Sequence, residues 1–370
     1  MATNKLIPYE ATHPGILLRD ELLARKMSQK ELSSLLGVTP TFLNEIIKGK
    51  RPVTADFALL LEKALEISAE YWMRFQSQYE LDKAALKEKN IRKMENITTW
   101  NFIKELVPVK EFARLGYLKD DIEANIRKLY EVYAVSTIEQ LVGLQAKHKA
   151  NAYYRKSSKL QVNANNIFAW SALAKYEADR MNVAAFNPDK LETLVDGLKS
   201  IFFENKNVVS QTSAILSNYG IKFVQLNRFD STPVDGYSFW SVNNPAVALS
   251  LRHKRIDNFA FTLMHEIGHI ALHLQNNKEM SFIDNMESGQ AELLGQEEQF
   301  EQEANQFARE HLISNPQWQE FKSDFRPWND HNYNLFGNKY KIHPAILFGR
   351  ASFESSIFAV KTTIDRNLCI

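Results

Sequence analysis

Phe261-Thr262-Leu263-Met264-His265-Glu266-Ile267-Gly268-His269 is the stretch on which the reading of this 370-residue chain turns. Phe261, Met264, Ile267, Ala271 and Leu274 recur at three- and four-residue steps, which predicts a helix to about Leu274, with Asp257 and Asn258 as candidate N-caps. On such a helix His265 and His269 share one face about 6 Å apart, close enough to hold one Zn²⁺. Glu266 then stands beside that ion, where a carboxylate can accept the proton of a water the metal has acidified. The pattern predicts hydrolysis at a metal.

A catalytic zinc usually has three protein ligands. His273 lies eight residues from His265, about 12 Å along a helix, so it cannot join the other two on one ion. The extended pattern that breaks the helix needs Gly and His at positions occupied here by Leu272 and Gln275. A carboxylate from a following helix is left, and residues 279–303 are rich in acids with no Lys or Arg. Phe300, Ala304, Phe307, Ala308 and Leu312 space out an amphipathic helix there. Glu303 is the first choice on it, with Glu297, Glu298 and Glu301 as alternatives.

His265-Glu-Ile-Gly-His269-Ile-Ala-Leu-His273, then Glu303-Ala-Asn-x-Phe-Ala-Arg-Glu310, then Lys341-Ile-His-Pro-Ala-Ile-Leu-Phe-Gly-Arg350, resembles the ImmA/IrrE family of metallopeptidases across roughly residues 200–360. The resemblance implies zinc on His265, His269 and Glu303, with Glu266 as base. His343 is carried as a catalytic candidate that stabilises an oxyanion, although His-Pro also opens helices in ordinary packing. Tyr333, Tyr340 and His331 are further donors of unspecified distance.

The other end carries an independent signal. Ser28 to Pro52 reads as helix, tight turn at Gly37, helix, which is the helix-turn-helix unit. Ser28 with Glu31 forms a capping box, and Leu32, Leu35 and Leu36 are expected to meet Phe42, Leu43 and Ile46. Thr39 caps the second helix, whose outer face offers Thr41, Asn44 and Lys48 to base edges, with Gln29, Thr39 itself, Lys50 and Arg51 placed for DNA as well. His13-Pro-Gly-Ile-Leu-Leu, Ser28-Gln29, Lys50-Arg-Pro-Val-Thr-Ala-Asp56 and Glu70 to Tyr79 are similar to the HigA-type antitoxins of the Xre-like repressors, over nearly all of residues 10–82. The resemblance implies a homodimer on an inverted-repeat operator and a toxin partner. Those antitoxins are typically short, and this chain runs far beyond the repressor unit.

Composition frames these motifs. Lys plus Arg number 45 against 44 Asp plus Glu, and residues 1–85 carry 11 of each, so no part is a polycation. The one cysteine, Cys369, cannot form an intrachain disulfide, no run reaches the roughly 18 apolar residues of a membrane span, and no secretory core opens the chain. A cytoplasmic location without membrane contact is expected. Between the ends, residues 86–200 read as helical: a charged connector from Leu86 to Met94, short helices at 101–116 and 120–133, and a longer one at 165–181. The basic run Lys147, Lys149, Arg155, Lys156 and Lys159, with Tyr153 and Tyr154, suits a solvated loop better than a phosphate contact. Residues 221–226, 237–242 and 246–251 read as strands.

The expected fold is mainly α with a smaller α+β part. It comprises a helix-turn-helix domain at 1–85, a helical linker at 86–200 and a zincin-like domain at 201–370. The expected function is a DNA-binding regulator whose zinc endopeptidase cleaves itself, a partner repressor or a toxin. The competing reading is a non-catalytic antitoxin whose metal fold serves sensing or dimerisation.

Overall fold

A computed structural model describes residues 9–153, 164–230, 232–284, 296–357 and 361–370. The chain divides into two compact units, Met1–Thr99 and Trp100–Ile370.

The first unit holds α1 (Pro14–Ala24), α2 (Gln29–Leu36), α3 (Pro40–Ile47), α4 (Ala55–Leu65) and α5 (Ala69–Ala85). Local chemistry sets each boundary. The Ser28 hydroxyl accepts from the Glu31 amide while the Glu31 carboxylate accepts from the Ser28 amide, starting α2, and Gly37 at φ 66° ends it in the left-handed region. Thr39 and Pro40 then start α3. Leu18, Leu32, Leu43, Ile46, Leu61, Leu65 and Trp72 are fully buried at the centre. Gln76 pins the loop before α4 by accepting from the buried Val53 amide at 2.9 Å.

The helix α6 (Glu88–Leu106) begins in the first unit and ends in the second, where Ile103 is buried. There follow α7 (Val109–Arg114), α8 (Ile122–Val132), α9 (Ile138–Tyr153), α10 (Ala164–Asp179), α11 (Leu191–Glu204) and α12 (Val208–Asn218). Strands β1 (Lys222–Gln225), β2 (Gly236–Ser241) and β3 (Asn244–Leu249) lead into α13 (Ile256–His269), and a π-helical turn at Ile270–Leu274 into β4 (Ser281–Asp284). The chain closes with α14 (Gln296–Leu312), α15 (Asn315–Asp324), α16 (Asp330–Tyr340) and α17 (Pro344–Ser355). Among the described residues the protein is mainly helical with one small sheet. Among the described residues no helix is long and apolar enough to cross a membrane.

The sheet runs β1-β3-β2-β4, with β1 and β3 parallel and the other pairs antiparallel. Side chains alternate between its faces, and both faces are buried. Phe223, Val247, Leu249 and Phe282 point into a core shared with α11 to α14, α16 and α17. Val224, Tyr237, Phe239, Ala246 and Ala248 point into a second core built with Phe112, Leu129, Trp170 and Leu173. Residues 86–200, expected as a linker, are thus divided: α10 packs on one face of the sheet, and α7 and α8 share the core beneath it. A chain of hydrogen bonds ties α10 to the sheet, from the buried Lys222 Nζ to Ser241 Oγ at 3.0 Å and from Ser241 Oγ to Asp179 Oδ1, at the end of α10, at 2.6 Å. In the basic run, Tyr154, Arg155, Lys156 and Lys159 lie outside the described residues, as do the side chains of Lys149 and Tyr153.

Candidate functional site

α13 is buried along nearly its whole length, because the sheet lies on one side of it and α14 and α17 on others. Its N-terminus differs from expectation. Arg255 is the N-cap residue and makes no side-chain cap, while Asp257 sits in the first turn. The C-terminal segment explains why: Arg366 bonds Asp257 Oδ2 at 2.6 Å and Arg255 bonds it at 3.0 Å, so this carboxylate is held by two guanidiniums.

At its other end, the helix carries His265, Glu266 and His269, which are 1%, 0% and 0% exposed. His265 Nε2 and His269 Nε2 are 3.0 Å apart. The third group to reach them is Glu301, whose carboxylate oxygens lie 3.2 Å from His265 Nε2 and 3.4 Å from His269 Nε2. Glu303 is elsewhere: its carboxylate faces His273 Nδ1 at 3.8 Å and accepts from Gln299 Nε2 at 2.7 Å. Two residues differ by about 200° around a helix, so one of the pair must turn away when the other points in. The packing of α14 decides which. Ala304 and Ala308 are fully buried against α13, where a methyl on Gly268 would meet Ala304 Cα at 3.2 Å, and Glu301 shares the face of those alanines. The two small residues three and seven positions after Glu301 are the sequence signal for it. Glu298 accepts from Gln302 at 3.2 Å, and the Glu297 side chain lies outside the described residues.

The protonation states suit a metal. Burial pushes the His269 imidazole down to about 4, which leaves it neutral with a lone pair to give. Burial acts to raise the Glu301 carboxyl, yet the rings of His265 and His269 overcome that and hold it at about 2, ionised. Donor atoms around a tetrahedral zinc with bonds of about 2.0–2.1 Å stand about 3.3 Å apart, a spacing these three side chains already have. The three offer ligand atoms that all lie within 4.8 Å of one another.

Two packing features shape the surroundings. The His269 ring stacks on Phe282 of β4 at 4.1 Å and 8°, and His273 Nε2 donates to the Phe300 carbonyl at 3.3 Å. The Glu266 carboxylate rests against Gly236 at the start of β2, where a Cβ would come 2.1 Å from Oε1. Beside this point, Asp235, Arg252, Asn258 and Thr262 line a small open cleft.

His343 is placed differently from the expectation for an oxyanion donor. Its Nδ1 accepts from the Ala345 amide at 3.2 Å as the N-cap of α17. Burial lowers its pKa, opposed by Asp365 and by Asp257, which is about 12 Å along α13 from His265. Tyr340 donates to Glu320, Tyr333 packs on Phe321 and Phe348, and His331 is exposed.

In the first unit, Gln29, Thr39, Thr41, Lys48 and Lys50 are exposed, and Asn44 is half-buried on α3. The Thr39 hydroxyl accepts from the Phe42 amide at 3.2 Å. Arg51, also exposed, is ion-paired with Glu45 and lies 5.4 Å over the Phe42 ring.

Fold and site together define a helix-turn-helix unit joined to an α+β unit with a His-Glu-x-x-His helix. Residues 18–72 match the helix-turn-helix family model, and residues 217–342 match the IrrE N-terminal-like domain, a peptidase family. "Virulence-associated protein I" of Dichelobacter nodosus is 37% identical over 82 residues, which make up 22% of this chain and 76% of that protein. "Virulence-associated protein A'" of the same organism is 39% identical over 70 residues, covering 19% of this chain and 61% of the relative. Among solved structures, an addiction module antidote protein of a HigA family from Coxiella burnetii is 33% identical, covering 23% of this chain and 92% of its own, with a TM-score of 0.22. Pseudomonas aeruginosa antitoxin HigA, solved with the higBA promoter, gives 33%, 23%, 95% and 0.22. The chain belongs to the helix-turn-helix family of the virulence-associated protein I type and carries an IrrE N-terminal-like peptidase-family domain in its second unit.

Proposed function

We propose that this chain is a DNA-binding regulator whose second unit is a zinc-dependent endopeptidase. The observation that carries the reading is the meeting of His265, His269 and Glu301, two imidazoles and one carboxylate, with Glu266 next in sequence. These three residues would hold zinc, in place of the expected set with Glu303. When bound there, zinc supplies Lewis-acid polarisation of a peptide carbonyl and lowers the pKa of water. Glu266 is the group to take the proton from the attacking water and pass it to the leaving amine. Gly236 lets the Glu266 carboxylate occupy its position, and the buried walls keep bulk water from competing with it.

At the other end, Asn44 and Thr41 read base edges while Lys48, Lys50 and Arg51 hold phosphates, with the unit acting as a dimer on an inverted repeat. The substrate is a regulatory protein: this chain, a partner repressor or a toxin. The complete burial of His265 and His269 favours one alternative, in which the metal fastens α13 to α14 and the domain senses or dimerises without cleaving. Metal analysis of the full chain, joined to a cleavage assay of wild type and Glu266→Gln on itself and on neighbouring regulators, separates the two. Zinc with cleavage that Gln abolishes supports the peptidase; zinc without cleavage supports the alternative.

A further inference from the structure

Asn305 stands one turn after Glu301 on α14, and its side-chain oxygen lies 3.2 Å from His265 Nδ1. An amide oxygen has no proton to give, so the ring nitrogen must be the donor. A neutral imidazole has only one N–H. With that proton on Nδ1, the Nε2 lone pair of His265 faces His269 and Glu301, 3.0 and 3.2 Å away. The other ring has no such orienting partner, since His269 Nδ1 is buried and meets no hydrogen-bond acceptor among the described residues. Its orientation comes from stacking on Phe282 instead.

We infer that Asn305 is the positioning residue of the metal centre: by accepting from His265 Nδ1 it fixes the tautomer that leaves Nε2 bare for zinc. This rests on the metal reading above. Histidine ligands commonly have such a partner on the second nitrogen, and where it is present its loss weakens metal binding. An amide suits this place better than a carboxylate in one respect. Glu266 and Glu301 already put two carboxylates in the same buried region, and Asn305 supplies an acceptor without a third negative charge. The helix geometry makes the arrangement self-consistent, because Glu301 and Asn305 are four residues apart and share the face that meets α13. One helix therefore delivers both the third ligand and the group that aims the first.

The test uses the full chain with ¹⁵N-labelled histidine, as wild type, Asn305→Leu and Asn305→Asp, each zinc-free and titrated with zinc against a competing chelator. His265→Gln assigns the resonances. In the zinc-free wild type, His265 should carry its proton on Nδ1, and Asn305→Asp, which keeps an acceptor oxygen, should preserve this. Asn305→Leu should lose the Nδ1–H form and bind zinc about 10–100-fold more weakly, with the melting temperature of the zinc-free chain unchanged. A wild-type ring protonated on Nε2, or wild-type zinc affinity in Asn305→Leu, overturns the inference while the metal reading stands. A wild type that takes up no zinc overturns the metal reading and this inference with it, and it shows in the wild type rather than as a difference between variants.

Discussion

Glu301 on α14 reaches across to His265 on α13, with carboxylate and ring nitrogen 3.2 Å apart, while Glu303 two residues later turns to His273. Removing Glu301 leaves two histidines, which only half-coordinate a zinc ion. Glu301→Ala should therefore abolish stoichiometric zinc and lower the metal-dependent thermal stability of the second unit. Glu303→Ala should leave zinc content near wild type, since that side chain is 41% exposed and faces another ring. Equilibrium dialysis with metal analysis checks both. Zinc retained in the Glu301 variant and lost in the Glu303 variant would place α14 in a different rotation.

Glu266 tests chemistry apart from binding. Glu266→Gln keeps the shape and removes the base, so zinc should remain and any proteolysis should collapse, a loss of at least about 10²-fold. Gly236→Ala attacks the same group from outside, because the new methyl collides with Oε1. It should reduce cleavage while sparing zinc. A Gly236→Ala protein cleaving at the wild-type rate would mean that the carboxylate has room to work elsewhere.

Much of this was legible because periodicity is local. The apolar spacing of α13, the cap and turn residues around α2 and α3, and the turns flanking β1 to β3 all lie within a few residues of what they determine. Three things were not. Phase was one: Phe300, Ala304, Phe307 and Ala308 all pack on the α13 side of α14, so their spacing leaves both Glu301 and Glu303 near that face, and only the close approach at Ala304 and Ala308 decides for Glu301. Partnership was another, since nothing in an amphipathic α8 or α10 says that a sheet more than forty residues later is its partner. Asp257 reads as a cap until Arg366, 109 residues away, takes its carboxylate. Context was the third: β4, four residues long like β1, lies in the acid-rich stretch between α13 and α14 without the flanking turn signals that mark β1 to β3.

On α3, Asn44→Ala should weaken binding to the cognate inverted repeat more than to random DNA, by about 1–3 kcal/mol per lost base contact. Arg51→Ala should weaken both alike. The ion pair with Glu45 adds a refinement: Arg51 is already held in place, so Glu45→Ala should free its guanidinium and change affinity with little change in specificity. Titrations on specific and scrambled duplexes at fixed salt read the difference. An unchanged specificity ratio in Asn44→Ala would move the recognition face off that residue.

His13 gives the first unit a pH dependence with a definite sign. Its Nδ1 accepts from the Gly15 amide at 2.9 Å as the cap of α1, and its ring packs edge-on to Tyr79 at 4.7 Å. Burial pushes its pKa below the ordinary 6.5; a hydrogen bond with the Arg51 backbone opposes this, and Lys83 reinforces it. The unfolded chain therefore binds the proton more readily, so stability is full above 6.5 and declines as pH falls below it. His13→Asn, which keeps a capping oxygen, should flatten that decline in urea unfolding of the first unit. Equal slopes in both proteins would mean that another group is responsible.

The sheet carries the last prediction. A fragment of residues 201–370, the boundary expected from sequence, would leave Val224, Tyr237, Phe239, Ala246 and Ala248 without the helices that cover them. Burying such side chains contributes roughly 1.5–3 kcal/mol for each large one, so the exposed face should leave that fragment unfolded or aggregated. A fragment of residues 100–370 keeps α7, α8 and α10 and should fold cooperatively. Trp170 tests the same contact inside the intact chain. It is fully buried, it donates from Nε1 to the Asn227 carbonyl at 3.2 Å, and its ring meets Tyr237 at 6.4 Å. Trp170→Ala should cost about 3–5 kcal/mol. Because β2 also brings Gly236 to Glu266, the loss should reach the metal centre as weaker zinc retention on heating. Should the 201–370 fragment melt as cooperatively as 100–370 and bind zinc as tightly, the middle helices would be an accessory layer, and the catalytic fold would stand on the sheet and its other face alone.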